Sequence, residues 1–256
     1  MKLKNIFETL NNYAPLNLSK EFVDMVNGYD NSGVIVETDE DIEKIVYALD
    51  LTNESVDKAI EVGAKLIITH HPAIYSSIKS LTYEDGALLK CIQNKIGVIS
   101  MHLNLDVCSK GIDYYLANGL GAENQEILLN LGSNCGYGRV FKTHLTAKEL
   151  KNRYMQTFNT DKAVLYGDEN KKINTVASFC GSGLDVSELE TAKNADIYVS
   201  SDIKHHVIVS ALEKGKCVLD VSHYSSEFYG FNKFYNEIAK NLNGLEHILV
   251  NKLYML

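Results

Sequence analysis

The pattern of apolar and polar positions alternates between short, continuous apolar runs and longer segments of helical period. Residues 4–13 read as an amphipathic helix that ends before Pro15. GVIVET (33–38) and IVYALD (45–50) read as strands, and Thr52 or Asn53 then caps a helix that stops at Gly63. KLIIT (65–69) is apolar without alternation, which predicts a strand buried on both faces. A helix over 85–95, a strand GVISM (97–101) and a helix over 109–119 follow. This alternation is the signature of βαβ units with a mainly parallel sheet.

The Gly- and Asn-rich stretch 119–138 reads as a crossing to a second lobe. There the order repeats: strand 139–145, helix 146–157, strands 162–166 and 173–179, helix 185–193, strand 196–200, helix 203–214 and strand 217–221. A helix over about 225–242 and a strand over 246–250 close the chain. The expected fold is α/β, with two interlinked lobes, each a mainly parallel sheet flanked by helices. Residues 1–125 with 215–256 form the first lobe and 126–214 the second.

Composition narrows the function. The 256 residues are 45 % apolar, enough for two cores, and the net charge of −8 comes with no Lys/Arg block, so duplex nucleic acid is not an expected partner. The five cysteines form no C-x-x-C pair, which argues against a disulfide framework or a Cys-type zinc site. No apolar run approaches the ~20 residues of a membrane span. The first residues mix charge and amides with apolar positions, unlike a signal peptide. A cytosolic location is expected.

Four of the eight histidines fall in two pairs, His70-His71 and His205-His206. The first ends a predicted buried strand as IITHHP, and ligands gather at the carboxyl ends of parallel strands. His102 and Asp106 follow the next strand, as HLNLD, and His223 and Glu227 follow CVLDV, as SHYSSE. On a helix, residues i and i+4 share one face. Imidazole and carboxylate suit Zn, Fe, Mn or Ni, and the residue types do not choose among them. Taken singly, Asp106 also reads as a helix cap, Glu227 as a first-turn acid and Asp202 as a cap. Three strand ends each followed by His or carboxylate are harder to explain that way. Lys204, His205 and His206 read equally as an anion-binding helix start or a solvated one, and CGSG (180–183) as a tight turn or a backbone-NH nest.

The motifs YDNSGV (29–34), LIITHHP (66–72), HLNLD (102–106), GYGRV (136–140), CGSG (180–183), SSDIKHH (200–206) and DVSHYSSE (220–227) occur in the order seen in the Nif-three-like family. The chain resembles that family of dinuclear metal-centre proteins, the GTP cyclohydrolase I type 2 homologues, over nearly its whole length. The resemblance implies two α/β lobes, a ring-shaped homohexamer, and two divalent ions per chain held between the lobes. The ligands it implies are His70, His71, Asp106, His223 and Glu227, with His102 near the metals. Tyr29 stands where relatives carry Trp. The implied activity is metal-assisted hydrolysis of a nucleotide or phosphoester, because two ions roughly 3.5–4 Å apart can share and acidify a water. His102 or Asp202 would then carry a proton. The alternative is a non-catalytic metal-binding or protein-interaction ring with the same ligands.

Overall fold

The computed structural model describes residues 1–251. The chain divides into two compact units, Met1–Cys108 with the chain from Phe231 onward, and Ser109–Gly230.

The first unit opens with helices α1 (Leu3–Tyr13) and α2 (Leu16–Val26). It continues as β1 (Gly33–Val36), β2 (Lys44–Ala48), α3 (Asn53–Val62), β3 (Leu66–Thr69), α4 (Gly86–Gln93), β4 (Gly97–Ser100) and α5 (Leu103–Val107). Its sheet has the order β1-β4-β3-β2 and then the last strand among the described residues, Glu246–Leu249. Only the β1–β4 pairing is antiparallel. Every residue of β3 and β4 is buried, which is why their sequences do not alternate. Val46, Ile67, Val98, Val56, Ala59 and Cys91 form one core between sheet and helices. At α3, Thr52 accepts from the Ser55 N–H at 3.2 Å while Ser55 Oγ accepts from the Thr52 N–H at 2.9 Å. Gly63 ends the helix in the left-handed region that glycine favours. The register sets Ala48 beside Thr69 and Thr69 beside Ser100. The three strands therefore end side by side, and Asp50, His70-His71 and His102 follow those ends.

The second unit carries α6 (Ile112–Gly119), β5 (Glu126–Gly132), β6 (Cys135–Lys142), α7 (Ala147–Thr157), β7 (Ala163–Tyr166) and β8 (Thr175–Ser178). After these come α8 (Val186–Thr191), β9 (Ile197–Ser201), α9 (His205–Glu213) and β10 (Cys217–Val221). Helix α10 (His223–Asn241) follows, with the division between units falling inside it, and β11 (Glu246–Leu249) completes the first sheet. The second sheet has the order β5-β6-β8-β9-β10-β7. It is parallel across β8, β9 and β10 and antiparallel elsewhere, so it is mixed where a mainly parallel sheet was expected.

Three other features differ from the sequence reading. The segment 126–132 is a strand, not part of a crossing. It pairs with β6 through a tight turn in which Ser133 and Asn134 both have positive φ. Its residues are half-buried or exposed, so they lack the apolar run of a central strand. Helices α2 and α5 were not anticipated. Helix α2 starts after Pro15, and its spaced Leu18, Ser19 and Phe22 are the buried face. Finally, the units divide at Cys108/Ser109 and Gly230/Phe231, whereas the expected lobes divided at 125/126 and 214/215. The reason is strand pairing: β10 bonds to β9 and β7, so His223 and Glu227 begin a helix rooted in the second sheet. Among the described residues, no helix is long and apolar enough to cross a membrane.

Candidate metal centre

In the first unit, three imidazoles gather beyond β3 and β4. Ring centroids lie 4.9 Å apart for His70–His71, 5.3 Å for His70–His102 and 6.0 Å for His71–His102. His70 is fully buried, and its backbone N–H reaches the Leu49 carbonyl at 3.1 Å. Its Nδ1 lies 2.8 Å from the Met101 carbonyl oxygen. A carbonyl only accepts, so Nδ1 carries the proton and Nε2 presents its lone pair. That Nε2 faces Asp106 Oδ1 at 3.5 Å, and Asp106 is itself only 4 % exposed. A lone pair facing a buried carboxylate needs a cation between them, either a second proton or a metal ion.

The other imidazoles are held in the same way. His71 Nδ1 meets Asp50 Oδ1 at 2.7 Å, and His102 Nδ1 meets Asp30 Oδ1 at 2.7 Å. Asp30 Oδ2 accepts from the hydroxyls of Ser32, at 2.6 Å, and Ser19. Burial of His102 opposes its charge. The Asp30 hydrogen bond and the Asp106 and Asp30 carboxylates outweigh burial and hold its pKa above the ordinary imidazole value. For Asp30, burial is outweighed by the bonds from His102, Ser19 and Ser32, and its carboxyl lies below the usual range. Asp106 is inside α5 rather than at a cap, one turn beyond His102, with its N–H on the His102 carbonyl at 3.0 Å. Single donor atoms of His70, His102 and Asp106 all lie within 4.8 Å of one another.

The second unit repeats the device at its own parallel strand ends. His223 and Glu227 sit one turn apart in α10, with Nε2 3.0 Å from Glu227 Oε1. His223 Nδ1 meets Asp202 Oδ2 at 2.5 Å. Asp202 follows β9 in a left-handed conformation and does not cap α9, whose N-cap is Lys204. Glu227 is 3 % exposed and lies against Gly181, where an added Cβ would come within 2.7 Å of Oε1. The Gly181 carbonyl accepts from Ser200 Oγ at 2.9 Å, Ser201 Oγ at 2.7 Å and the Ser201 N–H at 3.0 Å. The CGSG segment is thus a cradle for Glu227. Lys204 instead bonds the exposed Asp185 at 2.6 Å, and His206 stands 3.9 Å from it.

These donors fit a divalent transition metal. Two ligand atoms bound at about 2.1 Å and separated by 90–109° lie about 3.0–3.4 Å apart, close to both imidazole–carboxylate spacings. The acceptor on each Nδ1 fixes the ring's tautomer and orientation, which leaves Nε2 aimed at an ion. His247 shows the contrast: Nδ1 meets the Tyr47 hydroxyl at 3.0 Å and Nε2 the Leu242 carbonyl at 3.0 Å, so both nitrogens serve structure. Sequence reasoning did not single out Asp30 or Asp50, and it read Gly181, within CGSG, as part of a tight turn or a nest rather than as the support of Glu227. Asp30 lies in the quoted YDNSG motif and Asp50 at a predicted strand end, which were the available signals.

Residues 1–253 match the family model Duf34/NIF3 (NGG1p interacting factor 3). A Methanocaldococcus jannaschii protein called GTP cyclohydrolase 1 type 2 homolog is 32 % identical over 248 residues, covering 95 % of this chain and 97 % of its own. A Clostridium acetobutylicum protein of the same name is 31 % identical over 237 residues, covering 89 % and 86 %. Among solved structures, a hypothetical protein of Staphylococcus aureus superposes with a TM-score of 0.86 at 25 % identity over 98 % of this chain and 97 % of that one. Reduced HcgD from Methanocaldococcus jannaschii gives 0.82 at 31 % identity over 98 % of each. With the family model spanning nearly every residue and relatives above 30 % identity along most of its length, the chain belongs to the Duf34/NIF3 family.

Proposed function

We propose that the chain is a cytosolic, metal-dependent hydrolase that acts on a nucleotide or another phosphoester as a homohexamer. It holds two divalent ions through His70, His71 and Asp106 from the first unit and His223 and Glu227 from the second. The observation that carries this reading is the pairing of an imidazole Nε2 with a buried carboxylate in each unit, at 3.5 and 3.0 Å. The name shared by the relatives points toward a nucleotide.

When bound, such ions polarise a phosphoryl or carbonyl oxygen and acidify a water. The chain's own residues do the rest. Met101 O, Asp50 and Asp202 fix the tautomers of His70, His71 and His223. His102, whose Nδ1 is held by Asp30, would exchange a proton with the leaving group through Nε2. Asp202 then acts through His223 as a positioning residue. The test is elemental analysis after reconstitution with Zn, Mn or Fe, followed by turnover against nucleotides and phosphoesters. Two ions per chain with metal-dependent turnover is expected. Metal near zero refutes the site, and full metal without turnover on any substrate favours the non-catalytic ring. Light scattering that shows only monomer at micromolar concentration refutes the hexamer.

A further inference from the structure

Beside the imidazole cluster, the first unit holds an open hollow of about 520 Å³ whose walls include Leu51, Ala73, Tyr75, Ile78, Glu84 and Asp85. That volume lies within the range of small-molecule sites, about 300–1,000 Å³. Chain connectivity joins it to the metal centre. Asp50, which orients His71, is followed directly by Leu51, and His71 leads through Pro72 to Ala73. The two segments that clamp His71 thus leave the centre as walls of the hollow.

Tyr75 is 60 % exposed, yet it is held in place. Its ring meets Tyr29 edge-on, with centroids 5.5 Å apart at 80°. The Asn31 side-chain amide donates to the Ile74 carbonyl at 2.6 Å, which pins the backbone just before it. Tyr29 immediately precedes Asp30, the carboxylate that holds His102. An exposed aromatic ring fixed in advance is a platform for a planar ligand, because stacking removes its surface from water at little conformational cost. The walls include the carboxylates of Glu84 and of Asp85, whose Oδ2 accepts from the Thr82 N–H at 2.7 Å and its hydroxyl at 3.1 Å. Two acids disfavour a phosphate there, and Glu84 offers acceptors to ring N–H and exocyclic amine groups.

We infer that this hollow receives the nucleobase of the substrate, stacked on Tyr75, so that the substrate class is a nucleoside derivative rather than a simple sugar phosphate. The reacting end rests on the metal-centre reading above; the base subsite does not. The probe is 2-aminopurine riboside, whose fluorescence is quenched by stacking, titrated into chelator-stripped and metal-reconstituted protein with metal content measured on the same samples. Saturable quenching is expected in both. Tyr75→Ala should weaken it about ten-fold, the size of one base–aromatic stack, while Tyr75→Phe stays close to wild type. Ribose 5-phosphate should not displace the riboside from stripped protein. Circular dichroism should be unchanged, since the ring is exposed. Absence of saturable quenching, equal affinity in Tyr75→Ala, or displacement by ribose 5-phosphate overturns the inference. A failed metal reading would show instead as absent metal, with riboside binding intact.

Discussion

Replacing Gly181 by alanine tests whether the backbone of the second unit sets the position of Glu227. Two costs can be separated. Gly181 has φ +57, and an L-residue in that region costs about 1–2 kcal/mol. The new Cβ would also stand 2.7 Å from Glu227 Oε1, about 0.7 Å short of the ordinary 3.4 Å contact. The backbone cannot retreat easily, because the Gly181 carbonyl is held by Ser200 and Ser201. The carboxylate must move instead, by more than the roughly 0.2 Å tolerance of a metal–ligand bond. A fall in metal affinity of about 10–100-fold is expected, the usual effect of disturbing a ligand's support. Gly215→Ala is the control: φ is +70 and nothing lies within 4 Å of the added Cβ. It should lose a similar 1–2 kcal/mol of stability and keep its metal. Chelator competition with zinc and urea denaturation on both variants give the two quantities. Wild-type zinc affinity in Gly181→Ala, or an equal loss in Gly215→Ala, would refute the reasoning.

Glu227→Ala should lose at least one ion and any turnover while circular dichroism is kept, because a carboxylate can give one oxygen to each of two ions. His70→Ala should weaken mainly one, and Glu227→Ala with both ions at wild-type affinity would move the bridging role to Asp106. Arg139 donates to Asp113 at 2.9 Å, and both are buried. Arg139→Met should therefore cost about 3–5 kcal/mol in urea denaturation by stranding the acid, and adding Asp113→Asn should recover much of it. In chelator-stripped protein, the lowered Asp30 pKa contributes stability above the unfolded value near 3.9, lost as pH falls through the folded value. The raised His102 pKa contributes stability below about pH 6.5, lost as pH rises through its folded value. The stability difference between wild type and Asp30→Asn should be largest between about pH 4 and 6.5; a difference that grows above pH 8 would contradict the pair.

The sequence by itself determined the elements whose signal is local. The unbroken apolarity of Leu66–Thr69 and Gly97–Ser100 marked buried central strands, and Thr52 and Gly63 marked both ends of α3, as found. It also placed His70, His71, His102, Asp106 and His223 beyond strand ends, since a residue's neighbours in sequence are local facts. Tertiary structure decided what depends on distant pairing. The bonding of β10 to β9 and β7 put His223 and Glu227 in the second unit, and the antiparallel pairings β5–β6, β6–β8 and β7–β10 made that sheet mixed. It also assigned Asp30 to His102 across 72 residues of sequence separation, and Asp202 to His223 across 21. Such partners carry no periodicity, because a hydrogen bond to an imidazole is fixed by where two chain segments meet rather than by either segment's own pattern.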